Sequence, residues 1–254
     1  MNKLPVECIC CILAFTSPKD VCKIAGVSTA FRSAAASDLL WRTFLPPDYP
    51  QIIAQSPSLS LFWFLNSLPE KALYFHLSDH PLLIGTGNST IALEKKSGRK
   101  CYMIGSRDIC STTTRHWTRK YVPQSRFSYA ADVEFGIQIC IKGKIEAKNL
   151  SPKTYYAAYF VLKFEQEEHL ETFRPFKPIL PFLYLEGEEE EKRKLNAFEG
   201  FPMEREDGWM EIEMGQFFTQ GDDLSIIFNV HPTCLTCRFI FEGIEFRPIS
   251  KGIQ

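Results

Sequence analysis

The segment that decides the fold is TYYAAYFVLKF, residues 154–164. Apolar side chains occupy odd and even positions alike, so both faces of an extended chain here would be apolar. A strand of this kind is typical of the interior of a sandwich of two sheets. The segment therefore predicts a β-rich body built around residues 154–164.

Alternating apolar residues on both sides of this segment extend the prediction. They occupy Val133, Phe135, Ile137, Ile139 and Ile141, and later Leu224, Ile226, Phe228 and Val230. Phe239–Phe241 then leads to Ile244–Phe246 around Gly243, which favours a bulge. No helical stretch intervenes, so we expect antiparallel sheets packed face to face.

The region before residue 90 mixes several patterns. Residues 47–72 form a connector that contains Pro and Ser, and the apolar patch LSLFWFL at 59–65 predicts a helix that packs the two parts of the chain together. LYFHL at 73–77 alternates and predicts a strand. Farther on, EGEEEEKRK at 186–194 is typical of a solvated hairpin tip.

Length and charge limit the classes of function. The chain has 254 residues, 45% of them hydrophobic, which allows one or two globular domains. Its net charge of −1 gives no overall field that would attract nucleic acid or a membrane, and we expect neither as a partner. The longest apolar run, Cys8–Phe15, is too short to span a bilayer.

Nine cysteines are scattered over the chain in a pattern that does not resemble a secreted disulfide framework. Reduced thiols, and hence a cytoplasmic and nuclear location, are the simpler interpretation. His231, Cys234 and Cys237 have the spacing H-x2-C-x2-C, but zinc needs four ligands and no second pair accompanies them. We therefore expect no metal and no cofactor.

The first 47 residues are helical in style. Pro5 suits a first helical position, and Val6, Ile9, Ile12 and Leu13 recur at helical spacing. Ser17, Ser28 and Ser37 are candidate N-caps of three further helices. Each helix is shorter than the roughly 12–15 residues that an isolated helix needs in water. So small a unit leaves apolar surface bare unless a partner covers it.

These residues carry a family resemblance. LPVECICCIL at 4–13, Asp20, Val27-Ser28, Phe31-Arg32 and SDLLWRTFLP at 37–46 resemble the F-box. The resemblance implies docking onto the adaptor subunit of a cullin-type (SCF) ubiquitin ligase, and through it onto the cullin. The residues it would place at or behind that interface are Leu4, Pro5, Ile9, Ile12, Leu13, Val27, Trp41, Leu45 and Pro46.

The rest of the chain is similar to the phloem lectin (Nictaba-like) family of plants. The matching segments are SGRKCYMIGSRDI (97–109), residues 125–164, REDGWMEIEMGQFF (205–218) and GIEFRPI (243–249). The resemblance implies a lectin-like β-sandwich of the jelly-roll type that binds N-glycans. The complete fold class expected is therefore α+β, with an F-box at 1–47, a linker with a short helix and strand at 48–89, and the sandwich at 90–254.

The sugar site departs from the family pattern. Thr113 stands where the family carries a first Trp, and only Trp117 matches the second. Losing one ring removes roughly 1.5–3 kcal/mol of burial, or about ten- to a hundredfold in affinity. Arg115 and Arg119 lie in the same basic run, so the loop could bind a glycan, an acidic peptide or a phosphopeptide. An exposed loop held by one aromatic residue is the alternative.

The remaining carboxylates are weak candidates for catalysis. Glu204, Glu206, Asp207 and Glu211 could be paired for glycoside hydrolysis, but Asp207-Gly208 predicts a turn and Glu211 a solvated position on the strand that follows. We therefore expect a non-catalytic substrate receptor whose bait is a glycoprotein or a bare protein surface. The alternatives are a lectin acting without a ligase, a peptide-binding module that has lost sugar activity, and a glycosidase.

Overall fold

The computed structural model describes residues 4–111, 117–134, 140–164, 179–186, 202–220, 225–232 and 238–250. The chain divides into two compact units, one of residues 1–87 and 91–101 and the other of residues 88–90 and 102–254. Helices dominate the first unit and antiparallel strands the second, which confirms the predicted α+β class. The domain boundaries at residues 47 and 89 stay predictions.

The described part of residues 1–87 contains seven helices and a short strand. They are α1 (Val6–Leu13), α2 (Pro18–Ile24), α3 (Thr29–Ala36), α4 (Asp38–Arg42), α5 (Tyr49–Ala54), α6 (Leu59–Ser67), α7 (Glu70–Asp79) and β1 (Leu82–Ile84). None of the described helices is long and apolar enough to cross a membrane.

Serine caps start two of these helices as predicted. The Ser17 hydroxyl accepts a hydrogen bond from the Asp20 N–H at 3.2 Å, and the Ser28 hydroxyl accepts one from the Phe31 N–H at 3.3 Å. Each bond satisfies a backbone donor that the first turn of a helix leaves free. Ser37 occupies the N-cap of α4, but its side chain makes no capping bond.

One prediction for this unit is wrong. Residues 73–77 lie in helix α7 rather than in a strand, and α7 buries Leu73, Tyr74 and Leu77. Positions 73 and 77 are one helical turn apart, so five alternating residues fit a helix as well as a strand. The helix predicted at residues 59–65 is confirmed as α6, on which Trp63 is 69% exposed and Leu59 and Phe64 are exposed too. That this helix packs the two parts of the chain together stays a prediction.

The remaining strands are β2 (Ser89–Leu93), β3 (Lys100–Gly105), β4 (Cys110–Ser111), β5 (Trp117–Tyr121), β6 (Tyr129–Glu134), β7 (Ile141–Glu146), β8 (Thr154–Lys163), β9 (Ile179–Leu185), β10 (Met203–Glu204), β11 (Met210–Thr219), β12 (Ser225–Pro232) and β13 (Arg238–Pro248). Short 3-10 helices span Ser106–Asp108 and Ala147–Asn149.

The strands of the second unit form two antiparallel sheets. The larger runs in the order β3-β13-β8-β11-β10, and β6 pairs with both β13 and β5. The smaller runs β4-β7-β12-β9. Residues 154–163 form β8, which lies between β13 and β11, so the predicted interior strand is confirmed.

Aromatic side chains of the two sheets meet in the core. The ring of Phe228 on β12 lies 6.2 Å from that of Phe246 on β13, which in turn lies 6.2 Å from Phe217 on β11. Gly143 on β7 leaves space for the Phe228 ring, since a Cβ at that position would collide with it. All three phenylalanine rings join the two sheets into a sandwich.

A bulge at Gly243 confirms another prediction and shapes the larger sheet. The register of β13 against β8 shifts between Phe241 and Gly243. Before the shift, Arg238–Phe241 pair with β6, and after it Gly243–Phe246 pair with β3. A Cβ on Gly243 would collide with the carbonyl oxygen of Ile104, so this change of partner requires glycine.

Some predicted features lie outside the described residues. They are Phe135, Ile137 and Ile139 of the first alternating run, Leu224 of the second, Cys234 and Cys237, and residues 187–194 of the charged loop. Of the first run, Val133 belongs to β6 and Ile141 opens β7. Ile226, Phe228 and Val230 are buried on β12 as their alternation predicts.

Candidate functional site

The first candidate site is an apolar surface at the start of the chain. Ile12, Phe15 and Val27 are 58%, 93% and 71% exposed. Together with three further exposed residues they make up what we call the N-terminal apolar surface, which consists of Leu4, Pro5, Val6, Ile12, Phe15 and Val27. Exposed apolar groups in this number on one small unit indicate a binding surface for another protein.

Helix geometry explains why α1 has both a buried and an exposed apolar side. Ile9, Cys10 and Leu13 are buried, and the Cys10 thiol donates a hydrogen bond to the carbonyl oxygen of Ala34 at 3.7 Å. Ile12 lies about 100° around the helix from Leu13, so burial of Leu13 carries Ile12 toward solvent. The predicted residues Ile9 and Leu13 therefore support the surface from behind.

The other predicted adaptor contacts are buried as well. Trp41, Leu45 and Pro46 are shielded from solvent, and the Trp41 indole N–H donates to the carbonyl oxygen of Ala35 at 2.8 Å. The Trp41 ring also lies 5.0 Å from that of Tyr74. These three residues lie in the core of the unit, and their place at or behind the adaptor interface stays a prediction. Phe15 and Val6, which are not among the predicted adaptor contacts, are exposed.

The second candidate site is a pocket of about 240 Å³ in the second unit. It is lined by residues from the 3-10 helix, β5 and β6, namely Ser106, Arg107, Trp117, Arg119, Tyr129, Ala130 and Ala131. Trp117 and Arg119 are alternate residues of β5 and share a face. Arg119 pairs with Ala131 on β6, whose small side chain leaves the space that the pocket occupies.

Aromatic contacts fix the rings around the pocket. Trp117 is half-buried, and its ring meets that of Phe241 edge-on at 5.7 Å. Tyr121 and Tyr129, which face each other across the β5–β6 pair, have ring centroids 6.1 Å apart and remain exposed. An aromatic ring with one face packed and one face open is suited to stacking against a ligand.

The pocket is electropositive. Arg107 and Arg119 are exposed, and neither side chain makes a hydrogen bond or an ion pair with a described residue. The acids nearest in sequence have other partners, since Asp108 accepts a hydrogen bond from Asn88 at 2.9 Å and Asp132 is bound in a fork by Arg238 at 2.9 and 2.5 Å. The bonds from Arg238 lower the pKa of Asp132.

A buried carboxylate anchors the turn between β5 and β6. Glu242 lies beside the bulge of β13, and its Oε1 accepts hydrogen bonds from the Ser125 hydroxyl at 2.9 Å and from the Arg126 N–H at 2.7 Å. The Trp209 indole donates to the carbonyl oxygen of Gln124 at 3.3 Å. The two strands that carry Trp117 and Tyr129 are therefore held to the larger sheet through their connecting turn.

Beside this turn lies a cluster of buried ion pairs. Arg205 binds Glu211 at 2.8 Å and Glu245 at 2.7 Å, and Arg247 binds the other oxygen of Glu211 at 2.5 Å. Arg126 joins the cluster through Glu245 at 2.6 Å. Burial alone would raise the pKa of Glu245, but the charges of Arg126 and Arg205 outweigh it and lower the pKa to about 2.

The prediction that Glu211 is solvated is therefore wrong. Glu211 is buried, and both of its oxygens are bound by guanidinium groups. A strand sequence alone does not reveal this, because the partners come from positions 205 and 247. A carboxylate neutralised in this way holds strands together rather than transferring protons.

Of the predicted ligand-binding residues, Trp117 and Arg119 lie in the pocket, whereas Thr113 and Arg115 are outside the described residues. Ser106 and Tyr129 were not predicted as site residues. The alternation of Trp117, Arg119 and Tyr121 could have indicated the pocket face of β5, but the sequence does not show that β6 faces it. No group of metal-ligating side chains occurs within the described part of the chain.

Two family models match this chain. Residues 1–46 match the F-box-like model, and residues 99–248 match the model of phloem protein 2. The chain is 36% identical to the putative F-box protein PP2-B12 of Arabidopsis thaliana, over 96% of each chain. It is 32% identical to the F-box protein PP2-B10 of the same plant, over 97% of this chain and 93% of that one.

Among solved structures, the chain is similar to a family 35 carbohydrate binding module from Clostridium thermocellum. The TM-score is 0.35 and the identity 9%, over 57% of this chain and 96% of that chain. At that score the likeness carries no argument about function.

Proposed function

The chain belongs to the F-box proteins that carry a phloem protein 2 domain, and we propose that it is a substrate-recognition subunit of an SCF ubiquitin ligase. In this proposal the N-terminal apolar surface docks onto the adaptor subunit and, through it, onto the cullin. The pocket of the second unit binds the target, which is a glycoprotein or a protein recognised without sugar.

The observation that carries the proposal is the exposure of Ile12, Phe15 and Val27. Burying one such side chain fully is worth about 1.5–3 kcal/mol. Three of them can offset much of the estimated 4–15 kcal/mol cost of association. The residues behind them, Ile9 and Leu13, are buried in the unit's own core and give the surface a fixed shape.

The chain acts through proximity rather than chemistry. A target held in the pocket shares one complex with the ubiquitin-loaded enzyme, so its effective concentration rises without any catalytic group of this chain. This agrees with Glu211, the strongest candidate acid in the sequence, being occupied by two arginines.

A lectin acting without a ligase is the second candidate function. It is favoured by the half-buried Trp117 in a pocket whose lining also includes the polar residue Ser106. A sugar can place its apolar face on such a ring while its hydroxyls find polar partners. A glycan array with the full chain, and with Trp117→Ala as the control, tests this function.

The free thiols fit a cytoplasmic and nuclear site of action. Cys8, Cys11 and Cys22 are exposed and unpaired in α1 and α2. Exposed thiols persist as thiols in reducing compartments. Fluorescent tagging of the full chain in plant cells would show whether it lies there.

Capture by the purified adaptor subunit tests the proposed docking. We expect Ile12→Asp combined with Val27→Asp, and separately Leu4→Asp with Pro5→Ala, to abolish capture, because charge or lost apolar contact would enter the interface. Leu59→Asp is the matched control, since Leu59 is equally exposed and apolar but lies on α6. Circular dichroism would verify that each variant is folded. Undiminished capture of the Ile12 and Val27 variant would refute the proposal.

A further inference from the structure

The size of the pocket limits what it can hold. Its volume of about 240 Å³ lies below the roughly 300–1,000 Å³ of pockets that enclose a drug-sized ligand. One side chain or one sugar ring fits such a space, and an extended oligosaccharide would lie largely outside it. The ligand group that enters is therefore small.

The charge of the pocket indicates that this group is an anion. Arg107 comes from the 3-10 helix and Arg119 from β5, and both residues line the pocket. Among the described residues neither has an acidic partner. Two cations placed together without a counter-charge repel each other, and a ligand of two negative charges would balance them.

The neighbouring acids do not supply that balance. Neither of them lines the pocket. Asp132 is paired with Arg238, and Asp108, which keeps its charge because its partner Asn88 is neutral, is not a lining residue. The rest of the lining is neutral and consists of Ser106, Trp117, Tyr129, Ala130 and Ala131. As far as the described residues show, the pocket keeps a positive charge although the net charge of the whole chain is −1.

The guanidinium group suits phosphate in particular. Its planar fork donates two parallel hydrogen bonds to phosphate oxygens, and such charge-assisted bonds are roughly twice as strong as neutral ones. A phosphorylated side chain carries a charge of about −1.5 to −2 at neutral pH and offers three acceptor oxygens. A carboxylate side chain carries one charge and fewer acceptors, so it matches the pair of arginines less well.

We propose that Arg107 and Arg119 recognise a phosphorylated side chain in a peptide segment of the target protein, while Trp117 and Tyr129 pack against the adjoining residues of that segment. The inference rests on the proposed function, since it names the class of target that the receptor selects. Phosphorylation of the target would then determine whether it is bound.

The test uses the full chain and a fluorescein-labelled degenerate peptide library with one fixed phosphothreonine. Fluorescence anisotropy would compare it with the same library carrying threonine. We expect the phosphorylated library to bind about tenfold more tightly or better, and inorganic phosphate to compete. Arg107→Gln combined with Arg119→Gln should remove the difference between the two libraries.

The matched control is Lys96→Gln combined with Lys142→Gln. Both lysines are exposed and neither lines the pocket, so this variant loses the same charge elsewhere and should bind like the wild type. If the control loses binding equally, attraction is a property of the overall charge and the proposal fails. Equal binding of the two libraries by the wild type would also overturn it.

Two further measurements distinguish this proposal from an acidic-glycan ligand and from the proposed ligase function. An oligogalacturonate that binds more tightly than the phosphopeptides would assign the pocket to an acidic glycan and overturn the peptide. Adaptor capture, measured on the same preparations, addresses the other surface. Its loss together with retained phosphopeptide binding would refute the ligase function but support the pocket's preference for phosphate.

Discussion

Glu242 is an acidic residue in an environment that disfavours a charged group. Its side chain is completely buried, and only Oε1 is hydrogen-bonded, because Oε2 has no partner within the described structure. Burial raises the pKa of this carboxyl above its ordinary value of 4.5. With a proton on Oε2, Glu242 would be neutral, and Oε1 could still accept the hydrogen bonds from Ser125 and Arg126 in the turn between β5 and β6.

Glu242→Gln should make stability less sensitive to rising pH. Because the folded-state pKa is raised, the wild type gains stability from the proton below pH 4.5 and loses it as pH rises through the folded value. Glutamine cannot ionise and can keep its oxygen toward Ser125. Urea unfolding at a series of pH values should show that the free energy of unfolding depends less on pH in the variant. The same pH dependence in both proteins would mean that the pKa of Glu242 is not raised in the folded state.

Arg205 is the residue on which the buried ion cluster depends. Arg205→Met should lower the free energy of unfolding by about 3–5 kcal/mol, because it leaves Glu211 and Glu245 buried with fewer partners. The pKa of Glu245 is depressed to about 2, so its contribution is present above pH 4.5 and is lost as pH falls toward 2. The free energy of unfolding of the variant should therefore fall less than that of the wild type as the pH is lowered from 4.5 toward 2.

The control for Arg205 is Arg107→Met. It removes an equal charge from an exposed side chain that binds no described residue, so stability should hardly change. Chemical denaturation of both variants at neutral and acid pH makes the comparison. Similar losses in the two would contradict a special role for the cluster.

At the level of elements, β7 and β12 show how closely the sheets pack. Gly143→Ala should cost about 1–3 kcal/mol, because its Cβ collides with the Phe228 ring that reaches Phe246 on the opposite sheet. Gly26→Ala is the control, since its Cβ would meet only the carbonyl oxygen of Lys23 at 3.6 Å. Thermal unfolding followed by circular dichroism would measure both, and a neutral Gly143→Ala would mean that the core can shift.

The elements that the sequence predicts well are those with local signals. Ser17 and Ser28 start helices through bonds within one turn, and residues 154–164 reveal a strand covered on both faces. Residues 73–77 mislead because a short alternating run also places positions 73 and 77 on one side of a helix. Periodicity needs more than five residues to distinguish the two.

The candidate sites show a similar division. Trp117 could be predicted from its match to the family's second Trp and Arg119 from the basic run beside it, and both lie on β5. Ser106, Arg107 and Tyr129 join them only because β6 pairs with β5 and the 3-10 helix lies beside the same pocket. The ion cluster was missed for the same reason, since Arg205, Glu211 and Arg247 meet only after β11 and β13 take their places beside β8.

At the level of the whole molecule, the proposed mechanism requires both surfaces in one chain. In a reconstituted ubiquitination assay with a phosphorylated target, Ile12→Asp with Val27→Asp should be inactive, and so should Arg107→Gln with Arg119→Gln. Each variant keeps the surface that the other lacks. A mixture of the two should remain inactive, because a target bound by one chain gains no effective concentration from the adaptor bound to another.

The outcome of that mixture separates two mechanisms. Recovery of activity would mean that two copies cooperate, each supplying one surface. Adaptor capture and peptide binding, measured on each variant alone, verify that only the intended surface was lost. As controls, each variant should match the wild type in the binding assay for the surface that it keeps.

Phe15 has a consequence for handling the protein. Phe15 is 93% exposed, so free chains can associate with one another through this apolar residue. Copies synthesised without an adaptor would tend to precipitate or be cleared by quality control. Yield in a recombinant host should therefore follow co-expression of the adaptor, and cellular abundance should follow its supply.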